Sequence, residues 1–217
     1  MPRAVASIPF ARNSDPPVRG ALHRADGAGT LVLAHGAGGN HETPLLVTLA
    51  RAFAADGVTV LRCDLPFRQA RASGPPRPAD AERDRRGLAA ALDAVAEAAG
   101  PHLVGGHSYG GRQASMLLAE QPTRAQGLLL LSYPLHPPAK PERRRVDHLP
   151  GVRVPTLFVH GTRDPFGTPE EIEVARALVQ APTALLLVRG AAHGIRPDAA
   201  LTREIVSRFL ELVERTG

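Results

Sequence analysis

A chain of 217 residues, 43% hydrophobic and 22% charged, is long enough for one domain with a sizeable core and has the balance of an ordinary globular protein. Its formal charge of +5 comes almost wholly from arginine, Lys140 being the only lysine, and the basic residues are scattered, aromatics make up 4% and tryptophan is absent; nucleic-acid binding, which needs a clustered basic stripe with interleaved aromatics, is not expected. No run of about 18 apolar residues exists, the segment MPRAVASIPFARNSDPP lacks a signal-like apolar stretch, and the single cysteine, Cys63, allows no intramolecular disulfide, so neither a membrane span nor an oxidising compartment is expected and the cytoplasm is.

Residues 1–29 have no clear periodicity and are expected to supply an antiparallel edge strand or hairpin. Residues 30–34 are the first apolar run, followed by the loop His35-Gly36-Ala37-Gly38-Gly39. Thr43 then Pro44 reads as an N-cap followed by proline at the first helical position; Leu45, Leu49, Ala52 and Phe53 share a face, and Gly57 stops the helix. Residues 58–63 form a second apolar run, and residues 68–78 are too proline-rich for regular structure. Asp80 is expected to cap a helix with Leu88, Leu92, Val95 and Ala99 on one side, ended by Gly100-Pro101. Further apolar runs lie at 102–106, 127–131, 155–159 and 184–188, with a helix over 112–120 and a second proline-rich segment at 134–150. Thr168-Pro169-Glu170-Glu171 has the spacing of a capping box, and Asp198 is placed to cap a last helix lined by Leu201, Ile205, Phe209 and Leu212.

Short runs apolar at both alternating positions suit strands covered on two faces. Alternation with helices then predicts an α/β fold: a mostly parallel central sheet, helices on both faces, and no separate lid domain. Right-handed crossovers bring the carboxyl ends of the strands to one edge, where sites form. The two proline-rich segments both follow strand ends and are expected to wall that site.

The chemistry concentrates at that edge. Gly106-His107-Ser108-Tyr109-Gly110 fits G-x-S-x-G between a strand and a helix, where a sharp turn lifts a serine hydroxyl clear of the sheet. A serine hydroxyl needs a base oriented by an acid, and in this architecture the chain order is serine, acid, histidine. Asp164 follows the 155–159 run and His193 follows the 184–188 run, so both are expected at the rim beside Ser108. Two N–H groups must meet the oxyanion of an acyl intermediate. Tyr109, after the serine, is one expected donor; the glycine loop supplies the other, with Ala37 preferred and Gly36 and Gly38 as alternatives.

Other chemistries are weaker. His35, His107 and His160 border these motifs and read as hydrogen-bonded scaffold. The nine histidines lack H-x-x-x-H spacing beside a carboxylate, so no metal is expected, and no phosphate-cradling glycine pattern calls for a cofactor. Arg143, Arg144 and Arg145, with Lys140, read first as a solvated basic loop and second as a contact for an anionic substrate group. Cys63 reads as a small buried hydrophobe.

Taken together, His35-Gly-Ala-Gly-Gly39, Leu65-Pro-Phe67, Gly105-Gly-His-Ser-Tyr-Gly-Gly-Arg112, Leu131-Ser-Tyr-Pro-Leu-His-Pro-Pro138 and Phe158-Val-His-Gly-Thr-Arg-Asp-Pro-Phe-Gly167 resemble the α/β-hydrolase superfamily from about residue 30 onward. More narrowly they resemble a compact branch related to dienelactone hydrolases, which also holds the hydrolase-like domain of a chromatin acetyltransferase-complex subunit. The resemblance implies Ser108, Asp164 and His193 as a catalytic triad, Ala37 and Tyr109 as oxyanion donors, and a lid-poor fold. Dienelactone hydrolases proper are similar in having a cysteine nucleophile where Ser108 stands, so their substrate does not transfer. The expected activity is hydrolysis of a small ester-like substrate through an acyl-enzyme; the alternatives are a noncatalytic interaction domain and a cofactor-free perhydrolase.

Overall fold

Strands apolar on both faces must be covered twice, and the computed structural model, which describes residues 6–27, 29–98 and 100–216, supplies both layers. Eight strands form one sheet: β1 (Ser7–Arg12), β2 (Val18–His23), β3 (Thr30–Ala34), β4 (Thr59–Cys63), β5 (His102–His107), β6 (Gly127–Leu131), β7 (Thr156–Gly161) and β8 (Thr183–Val188). Their spatial order is β1-β2-β4-β3-β5-β6-β7-β8. β1 pairs antiparallel with β2 and β2 antiparallel with β4, while the other neighbours run parallel.

The helices are α1 (Pro44–Ala55), α2 (Pro66–Ala70), α3 (Ala81–Val95), α4 (Tyr109–Glu120), α5 (Pro169–Arg176) and α6 (Ala199–Glu214). Alternating strand residues divide the core. Leu31, Leu33, Leu129, Leu131, Leu157 and Val159 pack on the side of α1 and α6, where Phe53 meets Phe209 edge to face at 6.1 Å. Val32, Ala34, Leu128, Leu130 and Phe158 pack on the other side, against Leu88 and Leu92 of α3, Leu117 and Leu118 of α4 and Ile172 of α5. Each fully buried leucine or phenylalanine contributes about 1.5–3 kcal/mol over its exposed state, so the layers need no further fastening. No helix among the described residues is long and apolar enough to cross a membrane.

Helix ends agree with expectation at α5 and α6. Thr168 Oγ1 accepts from Glu171 N at 3.3 Å while Glu171 Oε2 accepts from Thr168 N at 2.9 Å, and Asp198 Oδ1 accepts from Leu201 N at 2.8 Å. Two other caps differ. Thr43 stands at the start of α1, but its hydroxyl donates to Asn40 O at 2.8 Å instead of accepting from the helix, because the preceding tight loop brings that carbonyl closer. Asp80 is already helical, its carboxylate taken by Arg77 N and Arg71 Nη2, both at 2.6 Å; it closes the 3₁₀ turn Pro78–Asp80 ahead of α3. The proline-rich segments are also less irregular than expected: Arg68 to Ala70 belong to α2, and Leu149–Gly151 is a 3₁₀ turn, since proline suits the first turn of a short helix. Ala99, expected on the α3 face, lies outside the described residues. Among the described residues no lid domain rises over the sheet edge.

Arginine 62 is the surprise of the core. It lies in the apolar 58–63 run and is 1% exposed, with Nε donating to His23 Nε2 at 3.3 Å and Nη1 shared between His41 O and Glu42 Oε1.

Candidate active site

The site forms where β5 passes into α4. Ser108 sits between them with φ 50° and ψ −115°, one of two non-glycine residues with positive φ among the described residues. Such a conformation costs about 1–3 kcal/mol and survives only where the surroundings hold it. They do so by close approach. A Cβ on Gly106 would stand 2.6 Å from Ala34 O and 2.8 Å from Gly110 C, and one on Gly110 would stand 2.5 Å from His35 O. Ser108 N also donates to Leu131 O at 2.8 Å, fastening the turn to β6.

Two more loops converge on the serine. His193, after β8, places Nε2 2.8 Å from Ser108 Oγ. Its Nδ1 lies 2.9 Å from Asp164 Oδ2 and 3.1 Å from Oδ1. The Asp164 side chain is fully buried, and Phe166 N donates to its Oδ1 at 2.9 Å, so carboxylate and imidazole are both held. Arg163 N donating to Ala191 O at 2.9 Å straps the two loops together. The Phe166 ring lies over His193 at 4.2 Å between centroids, and His107 Nε2 pairs with His193 O at 3.0 Å. The sequence motifs contained Phe166 and His107 without marking these contacts, because stacking between loops 27 residues apart has no local pattern.

Ala37 and Tyr109 both line the cleft beside Ser108. Gly36 O accepts from Gly39 N at 3.1 Å, which closes a tight turn and leaves Ala37 and Gly38 at its central positions, where N–H groups take no part in the turn's own bond. Beneath that turn His35 pairs Nδ1 with Gly36 O at 2.8 Å and accepts from Leu65 N at 3.1 Å. Arg68 reaches across to Ala37 O and Gly39 O, both at 2.9 Å, and also donates to Arg71 O and Gly74 O in the first proline-rich segment. Tyr109 starts α4, whose first N–H groups have no intrahelical acceptor and carry the positive end of the helix dipole.

One contributor went unmarked in the motifs. Asp84, fully buried on α3, accepts from Tyr109 Oη at 2.7 Å and from Phe67 N at 2.9 Å, tying the residue after Ser108 to α2, which follows β4. Burial raises its pKa, against the pull of these two hydrogen bonds, and the Tyr109 phenol is raised too, by burial first and then by Asp84. The signal was available: Asp84 is one helical turn before Leu88, so a carboxylate falls on the buried stripe.

The cleft holds about 990 Å³. Pro75 to Pro78 line it from one proline-rich segment and Pro134, Arg143 and Arg145 from the other, as expected of site walls. Cys63 is buried away from it, its thiol pushed up to about 12 by burial. Among the described residues no group of three or more His, Cys, Asp or Glu side chains is placed to hold a metal ion.

The scaffold histidines set a pH limit on the fold. Burial lowers the pKa of His35, His107 and His160, and that of His148, paired with Ser115 Oγ at 2.8 Å, falls to about 4. In the unfolded chain each takes a proton near 6.5. Between roughly pH 6.5 and 4 the unfolded state therefore binds more protons than the folded one, and stability falls as pH falls. The urea midpoint is expected to be lower at pH 5 than at pH 7.5, with a shallower decline in His148→Gln; equal midpoints in the wild type would contradict the neutral buried state of these rings.

A family model for an alpha/beta hydrolase domain matches residues 27–214. Solved structures are similar over nearly the whole chain at low identity. Dienelactone hydrolase from Anabaena variabilis superposes with TM-score 0.76 at 21% identity, covering 98% of this chain and 99% of that one. Est1E from Butyrivibrio proteoclasticus gives 0.77 at 16%, covering 95% and 99%. XC6422 from Xanthomonas campestris, described as an α/β serine hydrolase without lid, gives 0.69 at 17%, covering 96% and 94%. With its sheet order, its strained serine turn and a family match spanning most of its length, the chain belongs to the α/β-hydrolase family.

Proposed function

We propose that the protein is a carboxylesterase-type serine hydrolase, with Ser108 as nucleophile, His193 as general base and acid, and Asp164 as the group that orients the imidazole. The unbroken hydrogen-bonded line from Ser108 Oγ through His193 to Asp164, at 2.8 and 2.9 Å, carries this reading. His193 Nε2 accepts the Ser108 proton as Oγ attacks the ester carbonyl carbon. The oxygen that becomes negative is met by the N–H groups of Tyr109 and Ala37, each donor contributing about 3 kcal/mol in the transition state. His193 then passes its proton to the departing alcohol, leaving Ser108 acylated. A water molecule gives a proton to His193, attacks the acyl carbon and releases the acid, restoring the serine. Asp164 keeps the Nδ1 proton in place and stabilises the imidazolium between these steps.

The cleft, with no lid domain over it among the described residues, is in keeping with soluble esters that reach Ser108 from open solvent. A fluorophosphonate probe is expected to label the wild type covalently and to leave Ser108→Ala unlabelled, with p-nitrophenyl ester hydrolysis lost in parallel. A folded wild type that neither reacts with the probe nor turns over esters of any chain length would instead favour a noncatalytic interaction domain.

A further inference from the structure

The cleft is more basic than ester hydrolysis requires. Four arginines line it, Arg77, Arg112, Arg143 and Arg145, and among the described residues no acidic side chain does. Arg112 is on the first turn of α4, four residues past Ser108; Arg143 and Arg145 come from the second proline-rich segment. The side chain between those two turns elsewhere: Arg144 lies 3.6 Å from Glu171 and does not line the cleft. Arg143 and Arg144 are exposed, as in a solvated basic loop, and Arg143 and the half-buried Arg145 also border the site.

Arg112 distinguishes this cluster from incidental surface charge. Its Nε is buried without a hydrogen-bond partner, and no carboxylate among the described residues pairs with its guanidinium. Several other arginines that are partly or fully buried do have a carboxylate beside them, Arg71 with Asp80, Arg85 with Glu120 and Arg62 with Glu42. Arg145, half-buried, donates to Pro134 O at 3.0 Å and has no carboxylate partner either; burial, then Arg112 and Arg143, depress its pKa. Gathering positive groups away from water without a counter-charge costs free energy, and an anion that enters the cleft recovers it.

We propose that Arg112 and Arg145 form a subsite for a carboxylate carried by the substrate, so that the preferred esters are anionic, half-esters of dicarboxylic acids among them. The proposal rests on the reading of Ser108 as nucleophile, which places the scissile carbonyl in the same cleft. Guanidinium forks match a carboxylate with two parallel hydrogen bonds. Arg143 and Arg77, both exposed, add a positive rim that raises the encounter rate of an anion in a salt-dependent way.

The test compares monomethyl glutarate with neutral methyl hexanoate. Wild type is expected to favour the anionic ester in kcat/KM by about tenfold or more at low ionic strength, with the preference shrinking as salt is added. In Arg112→Gln, and separately in Arg145→Gln, the ratio is expected to fall towards one. A wild-type ratio near one, unmoved by salt, overturns the proposal while leaving the esterase reading intact. A second measurement needs no turnover: glutarate titrated into Ser108→Ala, followed by NMR chemical shifts, is expected to bind saturably and to lose about tenfold in affinity when Arg112→Gln is added. Absence of binding overturns the subsite whatever the activity, whereas failure of the fluorophosphonate to label Ser108 overturns the nucleophile and not the anion site.

Discussion

Replacing His193 with alanine is expected to lower kcat for ester hydrolysis by about four to six orders of magnitude while leaving the fold in place. The ring is the acceptor 2.8 Å from Ser108 Oγ, and none of the other nearby bases can substitute. His107 turns its Nε2 to the His193 carbonyl, and His160 turns its own to Gly167 O at 2.8 Å. The structural cost is small, because the His193 side chain is 23% exposed and its main losses are the Phe166 stack and the Asp164 contact. Asp164→Asn should cost about 10⁴, because the amide no longer holds the Nδ1 proton and the ring presents the wrong tautomer to the serine. The two groups act as a unit, so the double variant should be little worse than His193→Ala alone. Stopped assays with a p-nitrophenyl ester, beside circular dichroism, measure both quantities. Activity within tenfold of wild type in His193→Ala would remove the histidine from the mechanism.

Gly106→Ala is expected to damage the fold itself, by about 3 kcal/mol or more. The added methyl would meet Ala34 O at 2.6 Å and Gly111 N at 2.8 Å, backbone atoms of β3 and α4. A flexible side chain could swing aside; two elements of the sheet and its covering layer cannot. For a chain of this size each kcal/mol shifts the melting temperature by about 2–4 °C, so a fall of roughly 6–12 °C is expected, with loss of labelling at Ser108 as the turn distorts. Gly38→Ala is the control. A Cβ there has nothing within 4 Å, and its stability should stay within about 0.5 kcal/mol of wild type. Equal melting temperatures for the two variants would contradict close packing as the device that holds the strained serine.

Much of this architecture was legible because its causes are local. A run such as Gly127-Leu-Leu-Leu-Leu131 demands cover on both faces wherever it lies, and Thr168 with Glu171 satisfies a helix start from within four residues. The order of Ser108, Asp164 and His193 could be read because each follows a strand, and parallel strands deliver their ends to one edge. What escaped reading depends on partners remote in the chain. Thr43 and Asp80 carry the right side chains for caps, but nearer partners claim them first. Arg62 sits inside the run counted as apolar over 58–63, and only folding brings His23 and Glu42 around it. The arginine run read as a solvated loop, and Arg143 and Arg144 are exposed; that Arg143 and Arg145 border the cleft while Arg144 does not has no periodicity in a proline-rich loop to reveal it.

Arg68 gives the cleft a further property. One guanidinium grips the carbonyls of Ala37 and Gly39 on one margin and those of Arg71 and Gly74 on the next. One side chain therefore ties two backbone segments together, so a displacement at Gly74 is transmitted to the turn at Ala37 and Gly39 that borders Ser108.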